Sequence, residues 1–140
     1  MTLPRTAMAF GLAASLAACA PETTTDTATR TDTARGAEVY ATNCVACHGA
    51  DGRGNGPKAA NLSPTPPNLH QISARNGGSF PRDEVMSTID GYTRSDKGAA
   101  MPEFGAGDLG PLVQVEVDGI STPIPADLLA LTDYLETLQE

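Results

Sequence analysis

Residues 44–48 read Cys44-Val45-Ala46-Cys47-His48, and this Cys-x-x-Cys-His run governs how the rest of the chain is read. On a helical turn, positions i and i+3 share a face and i+4 lies just beside them. Both sulfurs and the imidazole therefore project to one side. That spacing suits two thioether bonds to the vinyl groups of a haem, with the imidazole directed at the iron, and it is the pattern of c-type haem attachment. Other chemistries use the same residue types. A structural zinc site typically wants four ligands in two separated clusters, and the only other histidine is His70. A thioredoxin-like redox pair is expected near a βαβ pattern, which this sequence does not offer. A disulfide staple in an exported protein stays open on the motif alone.

Export is written upstream. Met1 to Thr6 carries one positive side chain, Arg5, and no acid, and Ala7 to Ala18 is a 12-residue run of Ala, Leu, Met, Phe, Gly and Ser. Such a run has the size of a signal-peptide core and is too short to span a bilayer. It ends in Leu16-Ala17-Ala18-Cys19, which resembles a bacterial lipobox. That resemblance implies a signal peptide over 1–18, cleavage before Cys19 and acylation of Cys19 as a lipid anchor. The plainer alternative is ordinary cleavage after Ala18-Cys19-Ala20, which would leave Pro21 as the first residue. From Glu22 to Arg35 the chain is dominated by Thr, with no large apolar residue. We therefore expect 19–35 to be a flexible tether, since it cannot bury enough surface to offset its ordering entropy.

The remainder, 36–140, reads as one domain, with 13 Gly, 9 Pro, no Trp and only 26 large apolar residues. A core this thin is marginal alone and calls for a cofactor or cross-link. The segment has 6 Lys and Arg against 14 Asp and Glu, a net charge of −8. That balance leaves no basic excess for nucleic acid. It favours instead a protein partner with a basic docking rim.

Short helices are expected around the motif. Val39, Tyr40 and Asn43-Cys44 lead a first helix into it. Ser79 can cap a second, with Pro81 in its first turn, Val85, Met86 and Ile89 as its apolar face, and Gly91 as its stop. Asp127 opens a last helix in which Leu128, Leu131, Leu135 and Leu138 recur at 3-4-3 spacing. Gly36 leaves room for that last helix to approach closely, with Tyr134 or Leu131 over it. Gly49 to Gly78 shows no period and reads as loop.

With these segments in view, the chain from Gly36 to Leu138 resembles a class I cytochrome c. The resemblance rests on Gly36-Ala37-Glu38-Val39-Tyr40, on Cys44 through Pro57 (CVACHGADGRGNGP), and on Pro66-Pro67-Asn68-Leu69. Met101-Pro102-Glu103-Phe104-Gly105 and the Leu128–Leu138 helix complete it. It implies a mainly α fold: short helices around one buried, covalently bound haem c, the first and last helices crossing, and one-electron transfer as the activity. It also implies that a carbonyl of the Gly56-Pro57 loop holds the second ring nitrogen of His48.

The sixth iron ligand is expected to be Met101, in the turn-rich stretch Gly98 to Gly107. His70 and Met86 are the alternatives, although Met86 fits the apolar face of a helix. A Met/His pair raises the reduction potential, as suits a carrier, and a filled coordination sphere leaves no site for substrate. For the haem propionates the candidates are Tyr92, Arg75, Arg94 and Lys97, with Arg94 and Tyr92 preferred for their nearness to Met101. One segment departs from the family pattern. Val113, Val115 and Val117 alternate with Gln114 and Glu116, then Asp118-Gly119, then Ile120, Thr122 and Ile124, which predicts a β-hairpin over 112–124 with a type I′ turn.

Together these readings describe a monomeric electron carrier, not an enzyme, with metal ligands His48 and Met101. It would be lipid-anchored in a bacterial periplasm, on the outer membrane where there are two. The competing readings are a haem peroxidase or gas sensor with a labile distal ligand, and a cytochrome subunit of a larger redox complex.

Overall fold

The computed structural model describes residues 25–92, 100–117 and 119–140, with side chains from Asp32 onward, Val117 excepted. The export segment 1–18, the anchor residue Cys19, and Arg94, Lys97 and Asp118 lie outside the described residues. In chain order the elements are α1 (Thr25–Asn43), α2 (Val45–His48), α3 (Ile72–Arg75), α4 (Arg82–Asp90), β1 (Leu112–Val117), β2 (Ile120–Pro125) and α5 (Ala126–Thr137). Short 3-10 turns occupy Ala59–Asn61 and Leu69–Gln71. The fold is mainly α with one small antiparallel sheet, as the sequence predicts.

The first and last helices form the frame. Gly36 permits their approach: a Cβ there would lie 2.0 Å from the Ala130 carbonyl oxygen and 2.7 Å from Tyr134 Cβ. Around this contact Val39 and Tyr40 of α1 are buried with Leu128, Leu131 and Leu135 of α5. The leucine spacing is the 3.6-residue stripe that faces a core. Thr132 is wholly buried, and its Oγ1 donates to the Leu128 carbonyl at 2.8 Å, so no hydroxyl is left unpaired.

Helix α4 packs Val85 and Ile89 into the same core and places Met86 half-buried against it. Its start differs from expectation. It starts at Arg82 with Pro81 as N-cap and no capping side chain, so Ser79 does not cap it. Asp83 and Glu84 in the first turn supply the negative charge that suits a helix N-terminus. Gly91 closes the helix as predicted, in the left-handed conformation at φ 97°. Arg82 also pairs with Asp133 and Glu136 of α5, tying the two helices together. Helix α5 begins one residue before Asp127, which sits in its first turn.

The Thr-rich stretch expected as a flexible tether is helical from Thr25, so position 36 lies inside α1 rather than at its start. Its packed end accounts for this. Arg35 is bonded to Asp127 and Gly36 is seated on α5, and a helix held at one end extends at little further cost.

The hairpin is present, with Val113 opposite Ile124, Val115 opposite Thr122 and Val117 opposite Ile120. Ile124 is buried and Val115 packs on the core, while Gln114 and Glu116 face solvent. Its turn type depends on Asp118, outside the described residues. Beyond α5, the Gln139 side chain bonds the Ser73 amide and the Leu69 carbonyl, at 2.9 and 3.0 Å. Glu140 bonds His70 and Arg53. The chain end thus holds the loop wall of the site against the helical frame.

Candidate cofactor site

Helix α2 is a single turn, and its hydrogen bonds set the motif. The amide of Cys44 donates to the Tyr40 carbonyl at 2.9 Å, and those of Cys47 and His48 donate to the Cys44 carbonyl at 3.1 and 2.9 Å. Both sulfurs and the imidazole are thereby carried on one short, rigid turn continuous with α1. Gly49 ends it at φ 84°, and the buried Tyr40 hydroxyl donates to its carbonyl at 2.7 Å. The following loop folds back directly onto the motif. Gly54 donates to the His48 carbonyl at 2.8 Å, Gly56 to Cys47 at 3.2 Å and Lys58 to Ala46 at 2.8 Å. A Cβ on Gly56 would lie 2.6 Å from the carbonyl oxygens of both Val45 and Ala46, so only glycine fits there.

The motif opens into a cavity of about 610 Å³, within the usual range for a cofactor pocket. Cys44, Cys47, His48 and Met101 all line it, with Leu131 and Leu135 from α5 and Val85 and Ile89 from α4. Met101 is half-buried and packs against the core. Its loop is fastened to the end of α4: Phe104 donates to the Ile89 carbonyl at 3.1 Å and Gly105 to the Asp90 carbonyl at 3.0 Å.

Burial shapes the ionisation of the motif. The Cys44 thiol is pushed up to about 11, first by burial and then by neighbouring Cys47. A thiol raised in this way is a poor thiolate nucleophile, opposite to what a thioredoxin-like pair requires. The two cysteines are not bonded to each other, so the staple considered from the sequence is not formed. Among the described residues no cluster of three or more His, Cys, Asp or Glu comes together to hold a metal, so the zinc alternative finds no ligand set.

Burial lowers the His48 pKa, against the opposing pull of the Pro67 carbonyl, and so favours the neutral ring. A neutral imidazole is the metal-ligating form. Its Nδ1 is buried with no hydrogen-bond partner. The Gly56-Pro57 carbonyl expected to hold that nitrogen does not do so; Gly56 instead packs edge-on against the motif backbone. Free thiols, a neutral imidazole and a thioether lining one apolar cavity are the donor set a haem c would need, and the residues fit it.

The other candidates are sorted by position. His70 does not line the cavity. Its Nε2 bonds the Asp51 carbonyl at 2.6 Å and its Nδ1 lies 3.2 Å from Glu140, so both ring nitrogens are engaged elsewhere. Met86 packs on the core outside the cavity lining, matching its reading as a core residue. Tyr92, preferred from the sequence for the propionates, is 86% exposed and absent from the lining. Arg75 does line it, its guanidinium donating to the Asn68 carbonyl at 3.0 Å. Pro67, part of the Pro66-Pro67-Asn68-Leu69 stretch but given no role from the sequence, supplies the carbonyl acting on His48. Only its place in a proline-rich run after the motif hinted at a wall there.

A family model described as cytochrome c matches residues 33–139. Neither a curated protein nor a solved structure matches the chain significantly. The family match covers most of the chain and contains the whole cavity, and the chain belongs to the cytochrome c family, which carries haem c and uses it for electron transfer.

Proposed function

We propose that the chain is a class I, one-electron carrier that holds a single haem through thioethers at Cys44 and Cys47, with His48 and Met101 as axial ligands. The observation that carries this reading is the convergence of those four side chains on one apolar cavity from which His70 and Met86 are excluded. When bound, haem supplies a one-electron iron couple. The chain does the rest. His48 offers a neutral nitrogen donor because burial disfavours its charged form. Met101 offers a soft thioether, which favours the ferrous state and raises the potential. Leu131, Leu135, Val85 and Ile89 give the cavity an apolar wall, which would limit the solvent that reorganises around a bound haem. With His48 and Met101 both holding a bound haem, no iron position would be left open for a substrate, which is the basis for reading the chain as a carrier and not a catalyst.

The carrier acts in a bacterial periplasm, tethered through acylated Cys19, on the outer membrane where there are two. Among the described residues no helix is long and apolar enough to cross a membrane, and several acyl chains on one cysteine anchor stably without one. The net charge of −8 over 36–140 suits donors and acceptors with basic rims. Fractionation of Cys19→Ala tests the tether: it should leave the membrane with its spectrum unchanged, and retention would refute the anchor.

The decisive measurement is an optical spectrum of the purified protein, oxidised and reduced. Thioether-linked haem with a ferric sulfur-to-iron charge-transfer band is the expected result. A five-coordinate spectrum that takes up peroxide or carbon monoxide freely would favour the peroxidase or gas-sensor reading instead.

A further inference from the structure

Tight, glycine-dependent packing occurs where the Met101 loop meets the last turn of α4. Gly91, the left-handed cap at φ 97°, is crossed by the side chain of Glu103, whose Cγ and Cβ would lie 2.5 and 2.8 Å from a Cβ added at Gly91. Two residues on, Gly105 sits against Asp90: a Cβ there would lie 2.0 Å from its Oδ1 and 2.7 Å from its carbonyl oxygen. The carboxylate can swing away, but the carbonyl cannot move without moving the helix end, and that carbonyl already accepts the Gly105 amide at 3.0 Å. Phe104 adds a second rung to the Ile89 carbonyl at 3.1 Å. Residues 103–105 are therefore interlocked with 89–91 by two backbone hydrogen bonds and two contacts that only glycine allows. Ile89 is at once a partner in this interlock, a buried core residue and part of the cavity wall.

We infer that this interlock positions the Met101 thioether, with Gly105 as its main positioning residue; the inference rests on the axial role proposed for Met101. Met101 lies two residues before the first interlocked position, so its reach into the cavity is set by where 103–105 are held. The end of α4 thereby contributes to holding the sulfur in place. Glu103 contributes packing over the cap and Gly105 contributes close approach.

The test compares full-length, haem-loaded Gly105→Ala with the parent and with Met101→Ala. A methyl at Gly105 strains the backbone contact, and strain of that kind raises the open population about ten-fold or more. Gly105→Ala should keep its haem, lose most of the ferric charge-transfer band, show a lower potential, and bind carbon monoxide about ten-fold faster. Amide exchange at Phe104 and Gly105 should rise in parallel, a readout independent of the iron. If Gly105→Ala does not accumulate, Glu103→Ala decides, with a smaller change in the same direction and rescue by Glu103→Gln. A parent-like band and parent-like carbon monoxide exclusion in the variant that folds would overturn the interlock while leaving Met101 ligation intact. A band that survives Met101→Ala would overturn the ligation, and with it the role assigned to Gly105.

Discussion

Arg35 of α1 grips the Asp127 carboxylate of α5 with two parallel hydrogen bonds, Nε to Oδ1 at 2.8 Å and Nη2 to Oδ2 at 2.6 Å. The two residues are 92 positions apart, so the pair joins the beginning of the domain to its last helix beside the Gly36 contact. Asp127 also stands in the first turn of α5, where negative charge is favoured. Its hydrogen bonds with Arg35 hold the carboxyl below the usual carboxylate range. A group whose folded pKa is depressed contributes stability that is present above the unfolded value and is lost as pH falls through the folded one. Thermal melts of parent and Asp127→Asn should therefore differ at neutral pH, and the gap should close as pH drops below about 3.9. A gap that persists well below that range would mean it does not arise from the Asp127 charge, and no gap at neutral pH would mean the pair adds nothing to stability.

Gly36 makes a steeper prediction. Alanine there would place a methyl 2.0 Å from the Ala130 carbonyl oxygen, inside a contact made of backbone that cannot rotate away. The helices would have to separate, loosening Tyr40 from Tyr134, whose rings now lie 5.5 Å apart. Overpacking of this kind costs about 1–3 kcal/mol, and chemical denaturation of the loaded protein should show at least that loss. A Gly36→Ala variant as stable as the parent would show that the helix pair can slide to accommodate it.

How much of this was readable beforehand depends on the range of each signal. The motif at 44–48, the leucine stripe of α5 and the Val113–Ile124 alternation are local patterns, and each folds as its period predicts. Gly36 was legible as a close-approach site because its segment and the last helix were both recognisable. Arg35 was not: at the end of a Thr-rich run it carries no local mark, and its meaning lies in Asp127, far along the chain. Ser79 misled for the complementary reason. A good capping residue two positions before a proline looks like a helix start, yet α4 begins only after Pro81. Nearness to Met101 in sequence points to Tyr92, whereas the left-handed turn at Gly91 leaves it in solvent. Arg75, on α3, reaches the cavity through loop packing that no period encodes.

For the cysteines, the expected outcome separates attachment from folding. Cys44→Ser and Cys47→Ser should each leave haem held by one bond at most, with poor accumulation of protein. The double variant should lose covalent haem altogether, as seen by haem staining after denaturing electrophoresis. Both thiols line the cavity, and burial raises Cys44 to about 11, which makes that thiol a poor thiolate. Normal haem staining in the double variant would refute the attachment proposed here.

The last prediction separates three sulfur and nitrogen donors by where the fold puts them. Met101 lines the cavity, Met86 is packed against the core, and His70 is engaged by Asp51 and Glu140. Met101→Ala should retain haem through the thioethers and His48 but lose the ferric charge-transfer band, with a fall in potential as the soft ligand is removed. Cyanide and carbon monoxide should then bind quickly, where the parent reacts slowly. Met86→Leu nearly conserves volume and should cost less than about 1.5 kcal/mol without touching the spectrum. His70→Ala should likewise leave the band in place, because its loss loosens the bonds between the 51–53 loop and Glu140 and not an iron ligand. A band that disappears in His70→Ala but persists in Met101→Ala would reverse the assignment, and it would require the 68–71 turn to leave the partners that now hold it.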